Sequence, residues 1–372
     1  MSAAPAESRP VRVRLLWLDL VRAAAAQLIV LHHLSIYGPV SEALRRVAPG
    51  LIGWLDEYGR MAVQVFLVMG GLMFARGLGA AVPGPRQWIA AVWRRYLRLF
   101  VPFFAALGLT LLAAVPSRVW MPKADWLTQW PDWPIVAAHV LGLYDYLGIE
   151  PLTVGAWYVT MDLQLHALAL ATMVVCGALT ANAEKARRMF AAAMALLAAL
   201  SLLWINREAL WNIQPMYFLG SFALGIAAYW AGATRSRSER LAAALIFLLA
   251  CAALLLEWRL RIALALACAL LFAVALRAAG LRDAAGTKAA QPMSGFVSRV
   301  ASFSGDTAYS LFLTHFAACM LANAWFHRFS DGSSIAALIA FVGAWGLSQV
   351  FAALLYRIVE RPLLQRGSRH AA

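Results

Sequence analysis

Residues 17–33 read WLDLVRAAAAQLIVLHH and decide the fold class of this chain. The stretch is mostly apolar, and with its neighbours it forms a run over residues 15–37 that is long enough to cross about 30 Å of hydrocarbon as a helix. It nevertheless carries Asp19, Arg22 and a histidine pair. Charged groups inside a membrane span are costly and rare, so they mark candidate functional residues.

Similar apolar runs recur along the whole chain. Hydrophobic residues make up 63% of the sequence and charged residues 13%, against about 45–50% and 25% in soluble domains. In lipid each backbone group must bond within its own segment or a closed barrel, and these Ala- and Leu-rich runs lack strand alternation. We predict an all-α integral membrane protein, a single bundle of about ten transmembrane helices. The predicted spans are 15–37, 61–80, 97–115, 156–180, 189–205, 214–231, 241–257, 260–277, 307–327 and 335–358.

The basic residues predict the orientation of the bundle. Alternate loops hold 22 and nine Lys and Arg residues, and the richer set belongs inside the membrane by the positive-inside rule. Both termini are therefore predicted to be cytoplasmic. The division is an N-terminal tail at 1–14, one membrane domain at 15–358 and a C-terminal tail at 359–372.

Charge and cysteine usage argue against other classes of protein. The net charge of +14 falls in alternate loops rather than in an aromatic-interleaved basic domain, so no nucleic-acid partner is predicted. The cysteines lie in apolar runs without a CxxC pair, so neither a metal site nor a disulfide framework is indicated. They are Cys176, Cys251, Cys268 and Cys319.

Two residues of the first span share a helix face. Arg22 and His33 are eleven residues apart, which is about 20° from three full turns with a rise of about 16 Å. Asp19 lies near Arg22 on that face, whereas His32 points about 100° away. Taken singly, Arg22 could extend to the interface and pair with Asp19, and His33 could be an ordinary interhelical hydrogen bonder. Together they indicate a polar path from the cytoplasm towards a histidine general base.

Two further clusters supply candidate partners. Arg95 and Arg98 either extend to the cytoplasmic interface or form a fork for phosphate groups. In the fourth span, Asp162 is predicted to lie at a depth similar to that of His33, where it could orient the imidazole as a dyad or form a structural pair. His166 lies one turn deeper on the same face as Asp162. His315 falls in mid-membrane, and Glu360 is predicted to pair with arginine at the end of the last span.

Two connecting segments are also informative. Residues 116–155 are rich in Trp and Pro, so they are either interfacial anchors or a short amphipathic cap over an external cleft. Residues 278–306 are predicted to be a flexible inside loop because they are rich in Gly, Ala and Ser.

An ordered set of motifs resembles the membrane-bound acyltransferase-3 family. These motifs are LDLVR with the following His33, FLVMGG at 66–71, Arg95-x-x-Arg98 with Pro102, residues 157–166, YSLFLTH at 309–315 and ERP at 360–362. The resemblance implies a ten-helix bundle in a bacterial inner membrane. It also implies transfer of an acyl group, expected to be acetyl, from cytoplasmic acyl-CoA to a hydroxyl group of an envelope carbohydrate or glycolipid.

The resemblance also assigns residues. Arg22 and His33 match the family's Arg and His that are most tied to activity, and Arg95 and Arg98 match its Arg-x-x-Arg. The fourth-span motif departs from the family pattern, because it usually has Trp-Ser-Leu before a glutamate and ends in Phe-Tyr. This chain has Trp157-Tyr158-Val159, then Asp162, and ends in Leu165-His166; it also has Gly70-Gly71 where Ser-Gly is usual. These departures concern the acceptor and the acid partner rather than the reaction class.

The sequence therefore predicts a site as well as a class. The predicted catalytic residues are His33, Asp162 and Arg22; the predicted residues for acyl-CoA, with acetyl-CoA first, are Arg95, Arg98 and Arg22; the predicted substrate-binding residues are Trp157, His166 and His315. Direct transfer and a transient acyl-histidine both remain open. Other functions compatible with the same buried groups are a proton-coupled transporter or flippase of a glycan or lipid-linked substrate, and a catalytically silent scaffold.

Overall fold

A computed structural model of the chain describes residues 16–79, 81–284 and 295–369, and its regular elements there are all helical, as predicted. The α-helices are α1 (Leu16–Ile36), α2 (Gly38–Val47), α3 (Pro49–Tyr58), α4 (Val63–Gly77), α5 (Pro85–Trp120), α6 (Trp133–Leu141), α7 (Ala156–Ala178), α8 (Ala183–Leu203), α9 (Pro215–Ala233), α10 (Arg237–Leu256), α11 (Leu260–Ala284), α12 (Gly295–Phe329), α13 (Ser334–Leu355) and α14 (Arg361–Arg369). A π-helical turn, Tyr356–Glu360, joins α13 to α14.

The number of membrane spans is close to the prediction. Eight helices in the described part of the chain are long and apolar enough to cross a membrane, and the bent pair of α1 and α2 would make nine. Helix α12 has 35 residues but is not among them. Its buried polar residues, including Ser310, Thr314 and His315, lower its mean hydropathy. The count of ten and the orientation stay predictions.

The segment after the first span differs from the predicted outer loop. It forms α2 and α3, and the chain bends by 89° between α1 and α2. Gly38 begins α2 with φ of 75°, and a Cβ atom there would come within 2.5 Å of the Asn323 side chain. The bend therefore requires glycine, both for its left-handed conformation and for its missing side chain.

Two other predicted loops are partly helical. Within residues 116–155, helix α6 begins where the Asp132 side chain accepts a hydrogen bond from the backbone N–H of Ile135. It ends at Gly142, whose φ is 65°. In the predicted flexible loop at 278–306, α11 and α12 continue from both sides, and residues 285–294 lie outside the described residues.

Helices α4 and α9 cross at close range. A Cβ atom on Gly71 would lie 1.8 Å from the carbonyl oxygen of Phe222, and one on Gly225 would lie 1.8 Å from that of Val68. The two backbones are therefore in direct contact, as small residues allow between membrane helices.

Helix α12 occupies the centre of the region that carries the polar residues. It packs against α1, α5 and α13, and α5 packs against α7. Side chains from α1, α5, α7 and α12 are thereby brought together, although they are far apart in the sequence.

Candidate active site

Two polar cavities lie within the bundle. The first, called the histidine cavity, has a volume of about 570 Å³. Its polar lining residues include His32, His33, Arg60, Gln64, Asp145, Asn212, Tyr217 and Arg261. The second, called the arginine cavity, has a volume of about 210 Å³. It is lined by Arg22, Arg95 and Arg98, together with Asp162, Asp306 and Glu360. Arg22 and His33 thus line different cavities along the same helix.

His33 is paired with a second histidine. Its Nδ1 atom lies 3.0 Å from Nε2 of His315. Nδ1 of His315 lies 3.2 Å from the carbonyl oxygen of Leu311, which can only accept, so that nitrogen carries a proton. In a neutral pair, Nε2 of His315 is then an acceptor and Nδ1 of His33 donates to it. Nε2 of His33 is left without a proton, which is the state that a general base needs.

The predicted pairing of Asp162 with His33 is wrong. The two carboxylate oxygens of Asp162 accept hydrogen bonds from one nitrogen of Arg95, at 2.6 and 2.8 Å. The register of α5 against α7 explains this, because the Trp88 side chain donates to the carbonyl oxygen of Ala167 and brings Arg95 opposite Asp162. Helical rise predicted the depth of Asp162 in the membrane, but it could not predict which face of α7 is directed towards α1.

This pairing predicts the behaviour of Asp162 variants. In the Asp162→Asn variant, Arg95 loses its carboxylate and we expect a loss of about 1–3 kcal/mol of stability. The pH dependence of transfer should keep its wild-type shape, because Asp162 does not contact His33. Thermal unfolding and a pH–rate profile of the purified variant test both points.

Two controls sharpen this test. Asp162→Glu keeps the charge and should stay near wild-type stability, whereas adding Arg95→Gln to Asp162→Asn should restore part of the loss. A shifted pH profile with unchanged stability would instead support the His33–Asp162 dyad.

The remaining groups of the arginine cavity have separate partners. The Nε–H of Arg22 is directed at the Met69 sulfur, 3.4 Å away. Glu360 accepts a hydrogen bond of 2.7 Å from the Ser310 hydroxyl group. It lies at the end of the π-helical turn, a distortion that is frequent at functional sites. The side chain of Arg98 is exposed within the cavity.

The predicted substrate-binding residues separate in space. Trp157 lines the histidine cavity and packs on Phe218, with ring centroids 5.5 Å apart. His315 is fully buried, contacts His33 and lines neither of the two cavities. His166 packs edge-on against Phe74 and lines neither of the two cavities.

Several lining residues of the histidine cavity were not singled out from the sequence. Arg60, Asp145, Asn212 and Arg261 come from four separate segments between helices or at a helix start. Burial raises the pKa of the Asp145 carboxyl group above its ordinary value. In the sequence these residues cannot be distinguished from ordinary loop residues, because only the fold brings them together.

Three aromatic side chains, called the aromatic layer, pack together beside the two cavities. The layer consists of Phe66, Tyr158 and Phe312, whose ring centroids lie 5.4–6.3 Å apart. Phe312 lines both cavities. The layer therefore lies at the boundary that the two cavities share at Phe312.

The comparisons with known proteins agree with this architecture. The family model described as an acyltransferase domain, acyltransferase-3, matches residues 15–357. No curated protein and no solved structure matches the chain significantly. The matched residues include the paired histidines, the whole lining of the histidine cavity and every lining residue of the arginine cavity except Glu360. Because it spans nearly the whole chain, this protein belongs to the acyltransferase-3 family and is a multi-pass membrane acyltransferase.

Proposed function

We propose that the protein transfers an acyl group, with acetyl as the first candidate, from cytoplasmic acyl-CoA to a hydroxyl group of an envelope carbohydrate or glycolipid. The proposed location is a bacterial inner membrane, with the arginine cavity facing the cytoplasm and the histidine cavity facing outwards. The observation that carries the proposal is the pairing of Nδ1 of His33 with Nε2 of His315 at 3.0 Å, on a residue that lines a cavity of about 570 Å³.

In the proposed reaction, Nε2 of His33 takes the proton of the acceptor hydroxyl group. The oxygen attacks the carbonyl carbon of the thioester, the carbon–sulfur bond breaks, and the thiolate leaves with the proton returned from His33. Base catalysis of this kind contributes about 10²- to 10⁴-fold. A transient acyl-histidine would use the same Nε2 atom, so both routes depend on His33.

His315 acts in this proposal as a positioning residue. Its Nε2 accepts the Nδ1–H of His33 and so fixes the ring and the tautomer. A neutral imidazole partner stabilises a protonated His33 less than a carboxylate would, so the base releases its proton readily to the leaving thiolate.

The lining of the histidine cavity suits a carbohydrate. Trp157 offers an aromatic face, and Arg60, Asp145 and Arg261 offer charged hydrogen-bonding groups around it. Binding sites of this size combine apolar walls with a few placed polar groups. The cavity on the other side of the aromatic layer offers arginines to the donor.

The test uses the purified full chain in lipid nanodiscs with acetyl-CoA that carries a labelled acetyl group. We expect release of free CoA and a labelled acetyl ester on a carbohydrate or glycolipid from an envelope extract. Mass spectrometry identifies the product. Movement of the acceptor across proteoliposomes without any acyl-CoA dependence would instead support the transporter or flippase function and would contradict the proposal.

A further inference from the structure

A third pocket lies beside the arginine cavity, where the start of α12 meets the end of α13. It has a volume of about 430 Å³ and is called the rim pocket. Its lining includes Arg299, Phe303, Asp306, Tyr356, Arg357 and Arg361. Asp306 lines both the rim pocket and the arginine cavity, so the two are adjacent.

We propose that the rim pocket holds the nucleotide phosphates of the acyl donor, while the uncharged pantetheine arm enters the arginine cavity. This inference rests on the proposed function. It moves the phosphates away from Arg95 and Arg98, to which the sequence had assigned them.

The charges of the two sites decide between these positions. The arginine cavity has three arginines and three carboxylates, so its formal charge is zero. Arg95 is, in addition, held by both oxygens of Asp162. The rim pocket has three arginines and one carboxylate, which leaves an excess of two positive charges. The positive charge of the rim pocket therefore compensates the negative charge of the phosphates. In the neutral arginine cavity, the phosphates would lose hydration without an adequate counter-charge.

The rim arginines are available for a ligand. Arg299, Arg357 and Arg361 are exposed, and none forms an ion pair with a carboxylate in the part of the chain that the structure describes. Guanidinium groups bind phosphate with two parallel hydrogen bonds. Phe303 is 43% exposed and offers a face on which a nucleotide base could stack.

Helix α12 connects all three sites. It contributes Arg299 to the rim pocket and Phe312 to the layer beside His33. These residues are separated by a rise of about 20 Å along the helix. The pantetheine arm of the donor would cover this distance through the arginine cavity. Its uncharged amide groups would contact Arg22 and Arg98 there, so the donor would bring no charge into the cavity.

The experiment compares two donors, acetyl-CoA and S-acetyl-pantetheine, which lacks the nucleotide. In the triple variant Arg299→Ala, Arg357→Ala, Arg361→Ala, we expect the KM for acetyl-CoA to rise at least about tenfold, because several charge-assisted hydrogen bonds are lost. We expect kcat to change less than about twofold. The KM for S-acetyl-pantetheine should stay at the wild-type value.

A matched control removes basic charge elsewhere on the same predicted side. Arg235→Ala with Arg240→Ala changes two exposed arginines near the start of α10, and both KM values should stay unchanged. In a separate binding measurement, adenosine 3′,5′-bisphosphate should bind the wild-type protein and the control, and bind the triple variant at least about tenfold more weakly.

The outcomes separate the two proposals. The proposed role of the rim pocket would be overturned if the triple variant raised the KM values for both donors equally. It would also be overturned if the triple variant bound the bisphosphate as tightly as the wild type does. If the wild-type protein transfers from neither donor, the proposed function fails instead, whatever the rim arginines bind.

Discussion

The His33→Ala variant is expected to lose nearly all acyl transfer while keeping its fold. The substitution removes the Nε2 atom that takes the acceptor proton, and loss of a positioned base lowers kcat by about 10²- to 10⁴-fold. His33 lines an existing cavity, so a smaller side chain enlarges that space. Transfer of labelled acetyl by the purified variant, with its thermal unfolding as a check on folding, measures the effect.

Two variants distinguish a catalytic from a structural role for the pair. His315→Gln keeps an acceptor for the Nδ1–H of His33 and should retain more activity than His315→Leu, which offers none. His32→Ala should lower stability rather than kcat, because Nδ1 of His32 is bound to the carbonyl oxygen of Leu55. Wild-type transfer rates in His33→Ala would show that the base assignment is wrong.

The second large effect is expected at the crossing of α4 and α9. In Gly71→Ala or Gly225→Ala, the new Cβ atom would meet a backbone carbonyl oxygen of the other helix at 1.8 Å. The neighbour is backbone rather than a flexible side chain, so the helices must separate. Overpacking commonly destabilises proteins by about 1–3 kcal/mol, and we expect these variants to exceed that range and to yield little folded protein.

Control glycines lie on α13. A Cβ atom on Gly343 or Gly346 meets nothing within 4 Å. Alanine there should leave stability unchanged or raise it by about 0.5–1 kcal/mol, because alanine is the better helix former. Thermal unfolding in detergent compares the two pairs. If the Gly71→Ala protein unfolded at the same temperature as the wild type, the close backbone contact between α4 and α9 would be contradicted.

The sequence predicted the helical class, because membrane spans depend on local periodicity. The roles of the site residues stay predictions: Arg22 and His33 share a face of α1, and they line two different cavities. The partner of His33 was not predictable in the same way. Whether Asp162 or His315 meets it depends on the register between helices, which long-range contacts such as that of Trp88 with Ala167 determine.

The lining of the histidine cavity was harder still to predict. Arg60 and Arg261 entered the sequence analysis only in the count of nine outer basic residues, and Asp145 was not singled out. Nothing periodic connects the three. The rim pocket has the same origin, because its arginines belong to both α12 and the chain after α13. In both cases the polar lining residues lie at helix ends and in connecting segments. These segments have no periodic pattern in the sequence, and only the folded bundle brings their residues together.

The thinness of the aromatic layer has an electrical consequence. In the proposed orientation, water in the two cavities would carry a high dielectric into the bundle, and the membrane voltage would then fall mainly across the layer of Phe66, Tyr158 and Phe312. A charge that crossed there would exchange most of about 2.3 kcal/mol per 100 mV with the field. A neutral acyl group crosses without that exchange. The rate of the proposed reaction should therefore be independent of the membrane voltage, and the three rings would preserve the electrical insulation of the membrane during transfer.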